Sequence, residues 1–242
     1  MNSFVLLAQE SLFHDFFGRL YRAFIANNGW KEMLRGLEAT FYISIGALIL
    51  GMVLGALVAV VKVTPGKGIL KRILNIVADV YITVIRGTPV MVQLMLMYFG
   101  VFAATGMDAI LVATLVFGVN SGAYVAEVFR SGIQAVDRGQ TEAGRSLGLS
   151  YGKTMWKIVL PQAVKNILPA LGNEFIALIK ETSVAGFVTV FDLTRAARAI
   201  VSQTYDPFVP YLVLAAVYLV LVMIASGLVK LLERRLNRSD RG

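Results

Sequence analysis

Apolar residues gather into long runs separated by short polar stretches. Residues 39–61 are free of charge over 23 positions, enough at about 1.5 Å per residue to cross ~30 Å of hydrocarbon. Gly51 and Gly55 in this run suit close helix packing. A second run, 73–104, contains Asp79 and Arg86 and is interrupted by Arg86-Gly87-Thr88-Pro89. Pro89 removes a backbone donor and steers Thr88 out of the helical region, which predicts a kink or two half-helices. A third run, 109–128, has Asn120, Ser121 and Tyr124 at its centre. A fourth, 166–191, places Pro169 in its first turn and includes Asn173, Glu174, Lys180 and Glu181; a fifth covers 208–229. Glu174 and Glu181, seven apart, share a face expected to look into the protein.

Between the third and fourth runs lies a polar island, 142–161, around which Arg130, Arg138, Arg145, Lys153, Lys157 and Lys165 collect. Its local pattern predicts a helix over 140–149, with Gly148 as a left-handed stop. A turn through Ser150-Tyr151-Gly152 then leads to a second helical run that Pro161 interrupts. Ahead of the first span, Phe13, Phe16, Phe17, Leu20 and Phe24 recur at helical spacing, predicting an amphipathic arm in the interface or docked on the bundle. Glu10, Asp15 and Arg19 break any apolar core a signal peptide would need. His14 is expected to be solvated or interfacial.

Composition agrees with an all-α integral membrane protein: 57% of residues are hydrophobic and 16% charged, against about 25% charged in a soluble domain. The net charge of +8 is scattered over loops, as membrane orientation requires, and does not point to nucleic acid. Basic residues in 62–72, in the island and after 229 place those segments in the cytoplasm. Five spans then put the N-terminus outside and the C-terminus inside. The arm is the weak point of this topology, since its charges nearly cancel.

Glu142-Ala143, then Gly148, then nine residues, then Ile158-Val159-Leu160-Pro161 resembles the EAA loop of ABC importer permeases. The chain departs from the pattern at Gly144, where a second Ala is usual; glycine there is expected to loosen the helix by roughly 1 kcal/mol. The resemblance implies that residues 138–165 hold a coupling helix seated on a separate ATPase, through Glu142, Ala143, Gly144, Gly148, Ile158, Leu160 and Pro161. Arg86-Gly87-Thr88-Pro89, Asn120 to Tyr124, Gln162 to Glu174 and Lys180-Glu181-Thr182-Ser183 are similar to the polar amino acid branch of that family, across about 34–236. The expected division is an arm over 1–33, a permease domain over 34–236 and a cytoplasmic tail over 237–242, in the bacterial inner membrane. The arm is longer than the family leads one to expect. The implied partners are an ABC ATPase dimer, a second permease subunit, identical or related, an extracytoplasmic solute-binding protein, an amino acid and the lipid bilayer.

Arg86, Thr88, Asn120, Ser121, Glu174 and Glu181 are candidates for the substrate path. For Asn120 and for the Arg86–Pro89 break, helix packing and a solute path both remain open. With no Cys and one His there is no metal site or catalytic set to build, and no cofactor is expected. Gly148 to Thr154 lacks the spacing of a phosphate-binding loop, so ATP hydrolysis belongs to another subunit. The alternatives are a permease for another small solute, such as glycine betaine or methionine, and an ATP-independent carrier or channel using Arg86, Glu174, Lys180 and Glu181.

Overall fold

The computed structural model describes residues 15–238; expectations for Phe13, His14 and the last four residues lie outside them. The described residues are helical throughout, with no strand. A short helix, α1 (15–21), runs through a π-helical turn, Arg22–Ala26, to α2 (Gly29–Val63). Then come α3 (Ile69–Gly87), α4 (Val90–Met95) with a π-helical turn at Leu96–Val101, and α5 (Ala109–Gln134). The island forms α6 (Arg138–Ser146) and α7 (Tyr151–Thr154); a π-helical turn, Met155–Val159, leads into α8 (Leu160–Glu181). A 3-10 turn, Thr182–Val188, then α9 (Leu193–Thr204) and α10 (Phe208–Arg238) complete the chain.

Three helices are long and apolar enough to cross a membrane, Gly29–Val63, Ala109–Gln134 and Phe208–Leu236. The predicted break is sharper than a kink: the pair Ile69–Gly87 and Val90–Val101 is bent by 103°. Counted as one span, this pair makes four. The protein is an integral membrane protein by these helices. α8, with Lys165, Glu174, Lys180 and Glu181, is too charged to join the count on composition.

α2 and α5 form the spine. Leu50 and Leu54 lie over Gly118 and Gly122, while Ser121 and Val125 lie over Gly51 and Gly55; a Cβ on Gly55 would stand 2.6 Å from Val125. The glycine pair of the first span therefore serves packing within the chain. Ile43, Ala47, Val112, Ala113, Phe117 and Leu178 make the adjoining core.

The fourth span departs from expectation at both ends. Pro161 does not interrupt the second helical run, and Pro169 lies well inside α8 rather than in a first turn. The π-helical turn ahead of Pro161 widens the backbone, giving the ring room against the carbonyl four residues back. Gln162 also donates to the Ile158 carbonyl (2.9 Å). At the other end α-helix stops at Glu181, ten residues before the predicted limit. Thr182 Oγ1 donates back to the Ile179 carbonyl (2.8 Å), and such local bonds compete with helix continuation. The 3-10 turn ends at Thr189, left-handed at φ 73° and so strained for a β-branched residue.

The arm docks on the bundle. Ala23 and Phe24, flanked by Phe16 and Leu20, pack against Leu193, Ala196, Ala197 and Ile200 of α9 and Val209 of α10. Arg19 reaches Asp206 at 3.7 Å. Phe17, Tyr21 and Ile25, one helical turn apart, remain exposed on the opposite face.

Candidate functional site

Pro89 has no N–H, so the Ile85 carbonyl loses the donor that would close the last turn of α3. Gln93 supplies it: its Nε2 lies 2.8 Å from the Ile85 carbonyl, 3.1 Å from the Thr88 carbonyl and 2.7 Å from Thr88 Oγ1. The same amide accepts from Asn120 Nδ2 at 3.0 Å, fastening the break to α5. Asn120 thus finds its hydrogen-bonding partner, and it also lines an open cavity.

That cavity, about 330 Å³, is bounded by Arg86–Pro89 with Val90, by Asn120 and Tyr124 of α5, and by Glu181 of α8. The Arg86 guanidinium stacks on the Tyr124 ring at 5.0 Å and stands 4.0 Å from Glu127. Glu127 is already held by Arg130 at 2.7 Å and 3.1 Å, so Arg86 keeps donors for the cavity. Glu181 has no hydrogen bond or ion pair among the described residues. A guanidinium and a carboxylate without a hydrogen-bond or ion-pair partner therefore face one open chamber. Behind it, Ser121 Oγ donates to Glu174 Oε1 at 2.7 Å, which satisfies a carboxylate in a crowded helix contact. Of the six path candidates, Arg86, Thr88, Asn120 and Glu181 line the cavity, while Ser121 and Glu174 stand behind it as a pair.

The island occupies the other end of α8. Asp137 caps α6, accepting from the Gly139 N–H at 2.7 Å. At the C-terminus Gly148 is left-handed, φ 79°, as expected. Its N–H reaches the Arg145 carbonyl (3.0 Å), and the Leu149 N–H reaches the Gly144 carbonyl (3.2 Å). This crossed pair is a Schellman stop. The turn is shorter than predicted, because Ser150 caps α7 and Tyr151 is already helical.

Gly144 is not a defect here. It is buried, and a Cβ would lie 2.7 Å from Thr154 Cγ2 and 2.9 Å from Ile158 Cδ1. The residue missing a methyl lets α6 settle on α7 and the π-helical turn that leads into α8, so the expected loosening is offset by packing. Glu142 and Ala143 face outward on α6, and Leu147 and Trp156 are 81% and 75% exposed. Tyr151 ties the segment to α2, donating to the Val63 carbonyl at 3.2 Å.

A family model described as the inner membrane component of binding-protein-dependent transport systems matches residues 51–238. The chain belongs to this family. The permease is 38% identical over 210 residues to an arginine transport system permease protein of Bacillus subtilis, covering 86% of this chain and 94% of that one. It is 39% identical over 206 residues to a putative glutamine transport system permease protein of Rickettsia bellii, covering 84% and 92%. Among solved structures it resembles an amino acid ABC transporter with histidines, at 41% identity and TM-score 0.80, over 88% of this chain and 98% of that one. A methionine transporter, at 20% identity and TM-score 0.72, shares the fold.

Some of the permease's site residues escape sequence reasoning. Gln93 is visible in sequence as the Gln of the apolar run after Arg86-Gly87-Thr88-Pro89, part of the resemblance to polar amino acid permeases, but its role is not: from four positions after Pro89 its side chain reaches back to the freed carbonyl. Glu127 is the ion-pair partner of Arg86, a pairing that spans two helices and leaves no local trace. Trp156 is legible as a large aromatic within a basic segment that no membrane span claims.

Proposed function

We propose that the chain is the membrane-spanning subunit of an ATP-driven importer of polar amino acids in the bacterial inner membrane. The observation that carries this reading is mechanical: one helix, α8, begins at the island and ends at the cavity. Its 22 residues give a rod of about 33 Å. ATP-driven closure of an attached ATPase pair moves α6, and α8 conveys the movement to Glu181 and the chamber it shares with Arg86, exchanging inward-open and outward-open states. Glu142, Ala143, Gly144, Gly148, Ile158, Leu160 and Pro161 build the coupling joint, and the exposed Leu147 and Trp156 supply its apolar contact. Arg86 offers donors to an amino acid carboxylate and Glu181 accepts from its ammonium; Thr88, Asn120, Ser121 and Glu174 shape the path.

The topology that fits is five crossings: α2, the bent α3–α4 pair, α5, α8 and α10. α1 and α9 lie together at the end of α8 away from α6, which supports an N-terminus outside and a C-terminal tail inside with the coupling helix. The division into an arm over 1–33, a permease domain over 34–236 and a tail over 237–242 follows this arrangement, with the helical break at Asn27 and Asn28 inside the arm. Partners are an ATPase dimer, a second permease subunit and a solute-binding protein; relatives named for arginine and glutamine transport support the substrate class.

The test is co-purification in mild detergent followed by uptake into proteoliposomes. The native chain should bring down an ATPase and accumulate labelled amino acid only with ATP inside the ATPase-bearing compartment, while Gly148→Pro and Glu142→Lys should lose the ATPase. Uptake by the chain alone without ATP would overturn the reading.

A further inference from the structure

Apart from the polar cavity, an apolar groove of about 450 Å³ runs between α2 and α3 and reaches α5. Leu54, Leu57 and Val61 form one wall, and Leu74, Val77 and Ala78 the other. Tyr81 closes the inner end, its hydroxyl donating to the Val119 carbonyl at 2.6 Å, so the groove presents hydrocarbon along its length without an unsatisfied polar group at its floor.

Its mouth, at the turn joining the two helices, is cationic. Lys71 lies one turn before Leu74 and Ala78 on their face of α3, and its ammonium donates to the carbonyl of Val61, a wall residue. That leaves further N–H donors on the same nitrogen. Lys67, in the turn itself, has no hydrogen bond or ion pair among the described residues. Lys71 and Arg72 occupy the first turn of α3, where the helix dipole opposes positive charge. No acidic residue occurs between Glu38 and Asp79, and Asp79 is already paired with Lys62 at 2.5 Å.

We propose that this groove holds one anionic phospholipid, its acyl chain lying between α2 and α3 and its phosphate meeting Lys67 and Lys71. Hydrocarbon bed and cationic mouth together match an amphiphile with a negative head. A zwitterionic lipid would bring an ammonium for which no carboxylate is free. A second copy packed symmetrically through this face would bring Lys67 and Lys71 against their own counterparts, a like-charge contact. The end of α2 that walls the groove is also the end Tyr151 binds through Val63. The lipid therefore braces the helix on which the coupling segment leans.

The test is native mass spectrometry of the detergent-purified chain titrated with phosphatidylglycerol or phosphatidylethanolamine of identical acyl chains. The native chain should retain one phosphatidylglycerol with roughly tenfold preference, in line with two lysines near one phosphate. Lys67→Gln with Lys71→Gln should abolish the preference, lowering phosphatidylglycerol retention at least tenfold and that of phosphatidylethanolamine, whose ammonium compensates its phosphate, far less; the amide at 71 can still donate to the Val61 carbonyl. Lys67→Gln alone, at a residue that bonds nothing, should lower the preference at least threefold and covers the case in which the double variant misfolds. Val77→Trp, which fills the groove, should reduce retention of both lipids, and Arg234→Gln with Arg235→Gln should leave the preference intact. Equal retention of the two lipids by the native chain, or a preference that survives loss of both lysines, overturns the proposal. So does a Val77→Trp variant that turns a dimer into monomer with lipid retention unchanged, which would assign the groove to a second copy.

Discussion

The two ends of α8 are held in opposite ways. At its amino end the chain closes on itself within some twenty residues: a capped helix, a crossed pair of backbone bonds at Gly148, and a methyl-free contact of Gly144 on Thr154 and Ile158. At its carboxyl end α-helix gives way to a 3-10 turn and a strained Thr189, held from outside by a hydrogen bond between the Tyr98 and Thr189 hydroxyls at 2.6 Å. Backbone closure makes a stiff joint, whereas side-chain bonds from elsewhere, Tyr98 to Thr189 and Ser121 of α5 to Glu174, make one that can be rearranged. For the lever proposed above, the first belongs where force would enter and the second where the path would open.

The broadest expected effect comes from spoiling the stiff end, where stability and ATPase binding should fall together. Gly144→Leu has no space to occupy beside Thr154 and Ile158, and overpacking of this kind costs about 1–3 kcal/mol. The thermal midpoint should fall, and the ATPase should no longer co-purify, because α6 is displaced. If Gly144→Leu kept both, the close contact would not be what seats α6.

At the loose end the comparable site is Gln93. Gln93→Leu leaves the Ile85 carbonyl and the Asn120 amide without their partner, each loss worth about 1–3 kcal/mol if no water replaces it. Uptake should drop further than stability does, since the break borders the cavity, and ATPase binding should be unaltered. Gln93→Glu retains an acceptor for Asn120 but no donor for Ile85, so an intermediate loss would show that both bonds count. Thermal unfolding and uptake in parallel separate these outcomes.

How much of this was legible beforehand follows the same division. The helix of the island, its left-handed stop and the break at Pro89 could all be located from residues next to one another, because a glycine, a proline or a capping aspartate acts within a few bonds. What depended on neighbours distant in sequence could not. Gly144 alone reads as a lost methyl; only Thr154 and Ile158 show it as a fit. Pro161 reads as an interruption because the π-helical turn that accommodates it has no residue signature. The end of α8 was placed ten residues late, since an apolar run continues through Val184 and Phe187 while Thr182 and the buried Asp192 decide where the backbone turns.

A smaller cost attaches to Gly148→Ala, which puts a Cβ into left-handed backbone at about 1–2 kcal/mol. Coupling should weaken without vanishing, since the Schellman bonds use backbone atoms that alanine retains. Smaller still for the fold is Trp156→Ala: an exposed side chain costs within about 0.5 kcal/mol when truncated. Yet a buried aromatic anchor in a complex is worth about 2 kcal/mol or more, so affinity for the ATPase should fall more than tenfold while the melting curve stays put. An unchanged affinity would remove Trp156 from the coupling contact.

Glu181→Gln isolates the loose end most cleanly. The residue has no hydrogen-bond or ion-pair partner among the described residues, so neutralising it should not lower the stability of the native chain. Glu174→Gln is its matched control: the same chemical change at a carboxylate that accepts from Ser121 at 2.7 Å in the α5–α8 contact, where a weaker hydrogen bond is set against relief of a buried charge, so stability should shift by no more than about 1 kcal/mol and uptake affinity should stay unchanged. If Glu181 meets the substrate ammonium, its variant should raise the concentration of amino acid needed for half-maximal ATP-driven uptake at least tenfold, with ATPase binding intact. If Glu181→Gln instead lowers stability and leaves uptake affinity alone, the carboxylate facing Arg86 is a structural group, and the cavity is shaped for a solute without being charged for one.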